Sequence, residues 1–221
     1  MTEVDICNLA LSHIGDAAEV VSIDPPDGTM QAALCCKFYP AARDAILELQ
    51  NWGFATRRVD LPLKAFTVPE WQYAYGLPQD AIAPLEVYAS DAGADYSTSL
   101  ILAGTTPGAV NSGVAIYTPQ EFVCEIGEDD SQVLYTNVAN AALRYCYRVT
   151  DPQRFPGLFV QALSWLLASQ LAGPIIKGSA GAGMAKDCAG QFRYFLAQSG
   201  ESDANQRRST PVQSTPWVVN R

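Results

Sequence analysis

The chain has almost none of the residues that catalysis draws on. Of its 221 residues one is a histidine, His13. A Ser–His or Cys–His pair, in which an imidazole takes the nucleophile's proton, therefore has one possible base. His13 lies near the end of a helically spaced run, where a surface or helix-terminal histidine is the plainer reading. Charge is also scarce: 17% of residues are Asp, Glu, Lys or Arg, against about 25% in an ordinary soluble domain. A surface that poor in charge suits a protein partly covered by its neighbours. Basic residues are scarcest in the first two thirds. Residues 1–150 carry 7 Lys and Arg against 19 Asp and Glu, a net of −12, and residues 151–221 carry 7 against 4, a net of +3. An acidic body opposes tight phosphate binding, because affinity for nucleic acid comes largely from Lys and Arg releasing counterions. It suits a surface past which DNA slides without adhering, and solubility is the plainer explanation.

No C-x-x-C pair or regular spacing links the six cysteines, Cys7, Cys35, Cys36, Cys124, Cys146 and Cys188. Most stand among apolar neighbours, where cysteine behaves as a small hydrophobe. No signal peptide is recognisable, so free thiols in a reducing compartment and a cytosolic product are expected. Cys35 and Cys36 should point to different helix faces, which argues against a ligand pair. No contiguous apolar run approaches the ~18 residues of a membrane span, so no membrane partner is expected. What the chain has in quantity is apolar material, 48% of residues with 10% aromatic, ample for a core and incompatible with global disorder.

The elements fall in a pattern of helices, strands and helices. Thr2 can cap a helix to about Ile14, with Val4, Cys7, Leu11 and Ile14 on one face and Gly15 as its stop. After the turn at 24–28, Thr29 can cap a second helix bearing Ala33, Leu34, Phe38, Ala42, Ala45, Ile46 and Leu49, which Pro40 should kink or divide. From Arg57 the apolar runs shorten and prolines and glycines recur. Strand-like runs cover 59–66, 82–88, 100–103, 114–117, 122–126, 133–135 and 143–149. Phe122, Cys124 and Ile126 alternate with Glu121, Val123 and Glu125 before a Gly127-Glu128-Asp129-Asp130 turn, the best hairpin signal. Phe155-Pro156-Gly157 then leads into a strongly apolar helix with Phe159, Ala162, Leu163, Leu166, Leu167 and Leu171. The stretch 177–186, rich in Gly, Ser and Ala, reads as a loop grading into a last helix with Cys188, Phe192, Phe195 and Leu196. The expected class is α+β: a helical bundle of N- and C-terminal helices with an inserted antiparallel β domain. The boundaries are 1–56, 57–150 and 151–200, with an extended C-terminal arm at 201–221.

Three motifs resemble chemistry without completing it. Glu125, Glu128, Asp129 and Asp130 lack the alternating oxygen ligands of a calcium loop, and a solvated hairpin tip fits them better. Gly178-Ser179-Ala180-Gly181-Ala182-Gly183 has Met184 and Ala185 where a Walker loop needs Lys and Ser or Thr, and Lys186 where a dinucleotide fingerprint needs its third glycine. Trp71, Tyr73 and Tyr75 alternate and could line one face of an extended segment as a stacking platform, but core packing under the β domain suits them better. No catalytic, metal or cofactor residue follows.

Several short motifs resemble the head-to-tail adaptor proteins of tailed bacteriophages, in particular the tail tubular protein A family of short-tailed phages. They are Asn8-Leu9-Ala10-Leu11 with Ile14-Gly15, Tyr39-Pro40-Ala41-Ala42-Arg43-Asp44 running to Trp52 with Phe54-Ala55, and Trp71 with Tyr73-Ala74-Tyr75, Leu77-Pro78 and Asp80. Tyr135-Thr136-Asn137, Val149-Thr150-Asp151-Pro152 and Phe155-Pro156 follow. Together they extend over most of residues 1–200, and residues 91–119 depart from the pattern as a variable loop. The resemblance implies a helical bundle with an inserted β domain and a homo-oligomeric ring of about twelve subunits. That ring would sit in the virion neck between the portal protein and the tail nozzle protein. Genome DNA would pass through it non-specifically, and no catalytic residue or cofactor is implied. A virion-associated hydrolase module and a monomeric assembly or binding module are the alternatives.

Two groups of residues are candidate contacts. Trp217, Val218 and Val219, with Arg207 and Arg208, form a candidate docking arm onto a neighbouring subunit or the portal, because an apolar patch in a polar tail usually docks on something, with an ordinary frayed end as the alternative. Arg43, Arg57, Arg58, Arg144 and Arg148 are candidate intersubunit contacts in a charge-poor chain, with ordinary surface pairing as the alternative.

Overall fold

The computed structural model describes residues 1–66, 68–89, 120–127 and 129–206. The strand-like runs expected at 100–103 and 114–117, the loop at 91–119, Glu128 and the arm residues Arg207, Arg208, Trp217, Val218 and Val219 lie outside them. The protein is of the α+β class. The described chain divides into two compact units, a discontinuous helical one of residues 1–56 and 146–206 and a β unit of 57–145 inserted into it. The return to the helical unit thus falls at 146 rather than at 151.

In the helical unit, α1 spans Glu3–His13. Thr2 Oγ1 accepts from the Asp5 amide at 3.2 Å while Asp5 Oδ2 accepts from the Thr2 amide at 2.7 Å, a reciprocal capping box. At the other end Gly15, at φ +76°, lets the Gly15 and Asp16 amides donate back to the Ser12 and Leu11 carbonyls, both at 3.1 Å, a Schellman stop. Helix α2 spans Met30–Leu49, capped by Thr29, and runs through Pro40 as one helix. The carbonyl deprived of its donor is that of Cys36, and Cys36 and Pro40 are both exposed, so water can take the lost hydrogen bond. The buried face is Ala32, Cys35, Tyr39, Ala42, Arg43, Ile46 and Leu47, turned away from the expected one. Ala33, Ala45 and Leu49 are exposed, because Cys35 and Tyr39 outcompete them for the interior. As expected of adjacent helical residues, Cys35 is buried and Cys36 exposed.

Helix α3 spans Gly157–Ile176 and packs against α1, α2 and α4, the last spanning Gly178–Asn205. With a mean hydropathy of 1.4, α3 is long and apolar enough to cross a membrane, which corrects the reading from contiguous runs alone. Gln161, Ser164, Ser169 and Gln170 interrupt the run without lowering its average below that mark. Half of the window is buried within the unit, as in a core helix. Trp52 and Phe54, beside the 3-10 turn Gly53–Ala55, converge with Phe155 on Phe159, with ring centroids 4.9–5.1 Å from Phe159. Trp52 is fully buried and its Nε1 donates to the Ile46 carbonyl at 2.8 Å.

The expected loop over 177–186 is only a corner. Lys177 and Gly178 both take φ +63° and α4 starts at once. A Cβ on Gly181 would stand 3.0 Å from the Ala172 carbonyl oxygen. The small residues therefore admit a close helix crossing, and packing overrides their low helix propensity. The helix also continues to Asn205, five residues into the expected extended arm.

In the β unit the sheet orders are β1–β6–β3 and β2–β5–β4, where β1 is Thr56–Asp60, β2 Tyr73–Gly76, β3 Ala81–Tyr88, β4 Phe122–Ile126, β5 Gln132–Thr136 and β6 Ala142–Tyr147. β6 crosses the division between the units. β4 and β5 form the expected antiparallel hairpin, Ile126 opposite Gln132 and Phe122 opposite Thr136. Gly127 is required at its turn, since a Cβ there would meet Val133 Cγ2 at 2.7 Å. The aromatic triplet divides between two faces. Trp71 packs on the cluster of Ala74, Val133 and Tyr135. Tyr73 and Tyr75 lie on the other face, 6.3 Å apart, and the Tyr75 hydroxyl donates to the Val138 carbonyl at 2.9 Å.

The glycine geometry yields a paired test by urea denaturation. Gly181→Ala should destabilise the helical unit by about 1–3 kcal/mol. Gly183→Ala, where nothing lies within 4 Å, should be neutral or stabilise it by up to about 1 kcal/mol. Equal effects would show that α3 and α4 do not cross as closely as described.

Candidate functional site

The only histidine does meet a serine. His13, at the end of α1, stacks on Trp165 of α3 with centroids 3.7 Å apart and planes 5° apart, and its Nε2 lies 3.0 Å from Ser164 Oγ. Ser164 is fully buried, and its hydroxyl donates to the Gln161 carbonyl at 2.9 Å. With its one proton committed to the helix, Ser164 Oγ accepts from a protonated Nε2. That is the reverse of a nucleophile and its base, and no substrate can reach the oxygen. The pair clasps α1 to α3. Burial holds the imidazole below its ordinary pKa.

The other motifs resolve into structure. The glycine-rich segment is the first turns of α4, with no loop to cradle a phosphate. In the acidic stretch, Asp129 binds Lys64 Nζ at 2.8 Å and the Ser131 hydroxyl at 2.6 Å, and these partners hold its pKa down to about 2. Among the described residues no three His, Cys, Asp or Glu side chains are grouped to hold a metal ion.

All five candidate arginines have partners in their own chain. Arg43 is buried against Asp44 at 2.9 Å, and the second oxygen of Asp44 receives Arg148 Nε at 2.8 Å. In the β unit Arg57 meets Asp80 at 3.1 Å, Arg144 meets Glu86 at 3.0 Å, and the Arg58 guanidinium lies 5.1 Å from the centroid of the Tyr88 ring. The Tyr88 hydroxyl donates to Glu86, and this bond, followed by Arg144, holds the Glu86 carboxyl below its usual range. The solvent-facing pairs contribute about 0–1 kcal/mol each.

Among the described residues, an open strand edge runs along the outer side of β4. In sheet β2–β5–β4 the far side of β2 is covered by residues 62–64, through Lys64 N to the Ala74 carbonyl at 2.8 Å and Gly76 N to the Pro62 carbonyl at 2.9 Å. β4 itself has β5 on one side only, while Gln120, two residues before it, bridges to Val87 of β3 on the outer side. The Gly127 amide donates to the Ser131 carbonyl at 2.8 Å, which fixes the alternation along the hairpin: Val123 and Glu125 bond to β5, and Phe122, Cys124 and Ile126 turn their N–H and C=O groups outward. The outward groups have no hydrogen-bond partner among the described residues. Ile126 is 72% exposed and Val123 38%. Beside the edge lies a cavity of about 190 Å³ lined by Leu77, Ile82, Pro84, Cys124, Glu125, Ile126 and Gln132. The signal for this was present in 122–126, where apolar residues stand in both phases of the alternation and leave no wholly polar face. A second cavity, about 270 Å³ beside Trp52 and Leu158, is bounded by Ser199 and Asp203, which are already bonded to the Leu196 carbonyl and the Gly53 amide.

Compared with protein-family models and with curated proteins, the sequence matches none.

The His13 clasp predicts a pH response. The unfolded histidine titrates near 6.5 and the folded one lower, so the unfolded chain binds more protons in between. The clasp's contribution to stability is thus complete above about 6.5 and declines as the pH falls below it. His13→Asn should flatten the drop in urea midpoint between about pH 7.5 and pH 5.5, and an unchanged drop would refute the assignment.

Proposed function

We propose that the chain is a structural virion protein, a head-to-tail adaptor whose copies form a ring between the portal and the tail nozzle and extend the DNA channel. The observation that carries this reading is the pairing of its plan with its surface. A helical unit interrupted by a β unit is the arrangement that the motif resemblance implies, and that β unit ends in an exposed, apolar edge strand suited to meeting another chain. The net charge of −12 over residues 1–150 supports a lumen that does not retain DNA. The hydrolase alternative is weakened by the buried Ser164, the partner that the single histidine takes.

Mass photometry and negative-stain imaging of the protein mixed with purified portal test the reading. Closed rings bound to the portal are expected, on the order of twelve subunits each. A protein that stays monomeric in the presence of portal would sink it, whereas a monomer before portal addition would not, because the portal can template the ring.

A further inference from the structure

The geometry points to the β4 edge as a docking strand for residues 207–221 of a neighbouring copy, seated by strand addition with Trp217 in the adjoining apolar cavity. The edge offers the two parts of such recognition: outward backbone groups at Phe122, Cys124 and Ile126 for affinity, and a side-chain pocket for selectivity. The pocket's volume of about 190 Å³ is far above the ~10–15 Å³ that a single water needs on the same measure, so it has room for a side chain.

The occupant is argued from length, side-chain type and charge. Trp217-Val218-Val219-Asn220-Arg221 is five residues long, as is β4, and Trp and Val favour extended pairing. Pro216 lies just before this run, where its missing N–H costs no ladder bond. Residues 207–221 carry Arg207, Arg208 and Arg221 with no Asp or Glu. Glu121 and Glu125 border the edge, and Glu125 also lines the pocket. The charges are therefore complementary. A tail on an edge is a contact between unlike surfaces, which propagates head to tail and closes into a ring when the rotation between copies closes, giving an open filament when it does not. In that respect the inference rests on the ring reading.

The test uses the full-length Trp217→Ala chain as receptor, so that its own tail does not compete, and a fluorescein-labelled peptide of residues 205–221 followed by anisotropy. Saturable binding is expected. It should weaken at least about tenfold with Cys124→Pro in the receptor, because an outward-facing edge N–H is where a strand tolerates proline. Ile126→Lys, at an exposed position, and a peptide carrying Trp217→Ala should weaken it as much. Circular dichroism identifies any receptor variant that has lost its fold, and the two edge changes back each other up. No binding, or binding indifferent to both edge changes, overturns the proposal. So does a wild-type receptor that excludes the peptide yet stays monomeric at every concentration, since the tail then lies on its own edge. Rings on the portal without peptide binding would defeat this contact alone, and peptide binding without rings would defeat the ring reading alone.

Discussion

Helix α3 has no polar side to offer water, and the helical unit is arranged around that constraint. Twenty residues with a mean hydropathy of 1.4 cannot sit on a surface as an ordinary amphipathic helix does. They must be covered from several directions, and α1, α2 and α4 do so. The secondary features follow from this. Gly181 allows α4 close to the α3 backbone, Phe159 receives the rings that close the second helix's end, and the histidine and serine become a clasp because they meet where α1 lies against α3.

Reading a structure for function often begins with paired reactive groups, and here those pairs are structural. The carboxylate of Asp44 is held by two arginines, Glu86 by a tyrosine and an arginine, and Asp129 by a lysine and a serine. In these three clusters the ionic groups are committed to partners within their own units. At β4 the exposed surface is instead backbone edge and apolar side chain, Val123 and Ile126.

Local chemistry was legible in the sequence wherever it is set by one or two neighbouring residues. Thr2, Gly15 and Thr29 marked helix ends because capping is a short-range hydrogen-bond problem, and the Gly127-Glu128-Asp129-Asp130 run marked the hairpin because Gly and Asp are turn residues. Readings that depended on distant partners were not legible. The inward face of α2 was displaced because which of Cys35 or Leu34 is buried depends on what packs against the helix. The Gly-Ser-Ala run at 178–183 looked like a loop because helix propensity is a local quantity, whereas its reason for being helical is the α3 backbone beside it. Trp71 was grouped with Tyr73 and Tyr75 on a period of two that begins only where the strand does. The free edge of β4 depends on sheet order, which no local pattern encodes.

The discontinuity of the helical unit has a consequence for the order of events at the ribosome. The helices before Thr56 emerge first, but the helix they must cover begins at Gly157, after the whole β unit has been made. At 5–20 residues per second the intervening ~100 residues take roughly 5–20 s to synthesise. For that interval α1 and α2 have no α3 to bury their apolar faces, while the β unit is already complete. Vectorial synthesis therefore favours a nascent chain whose middle folds before its beginning, with its first two helices exposed to chaperones until the third arrives.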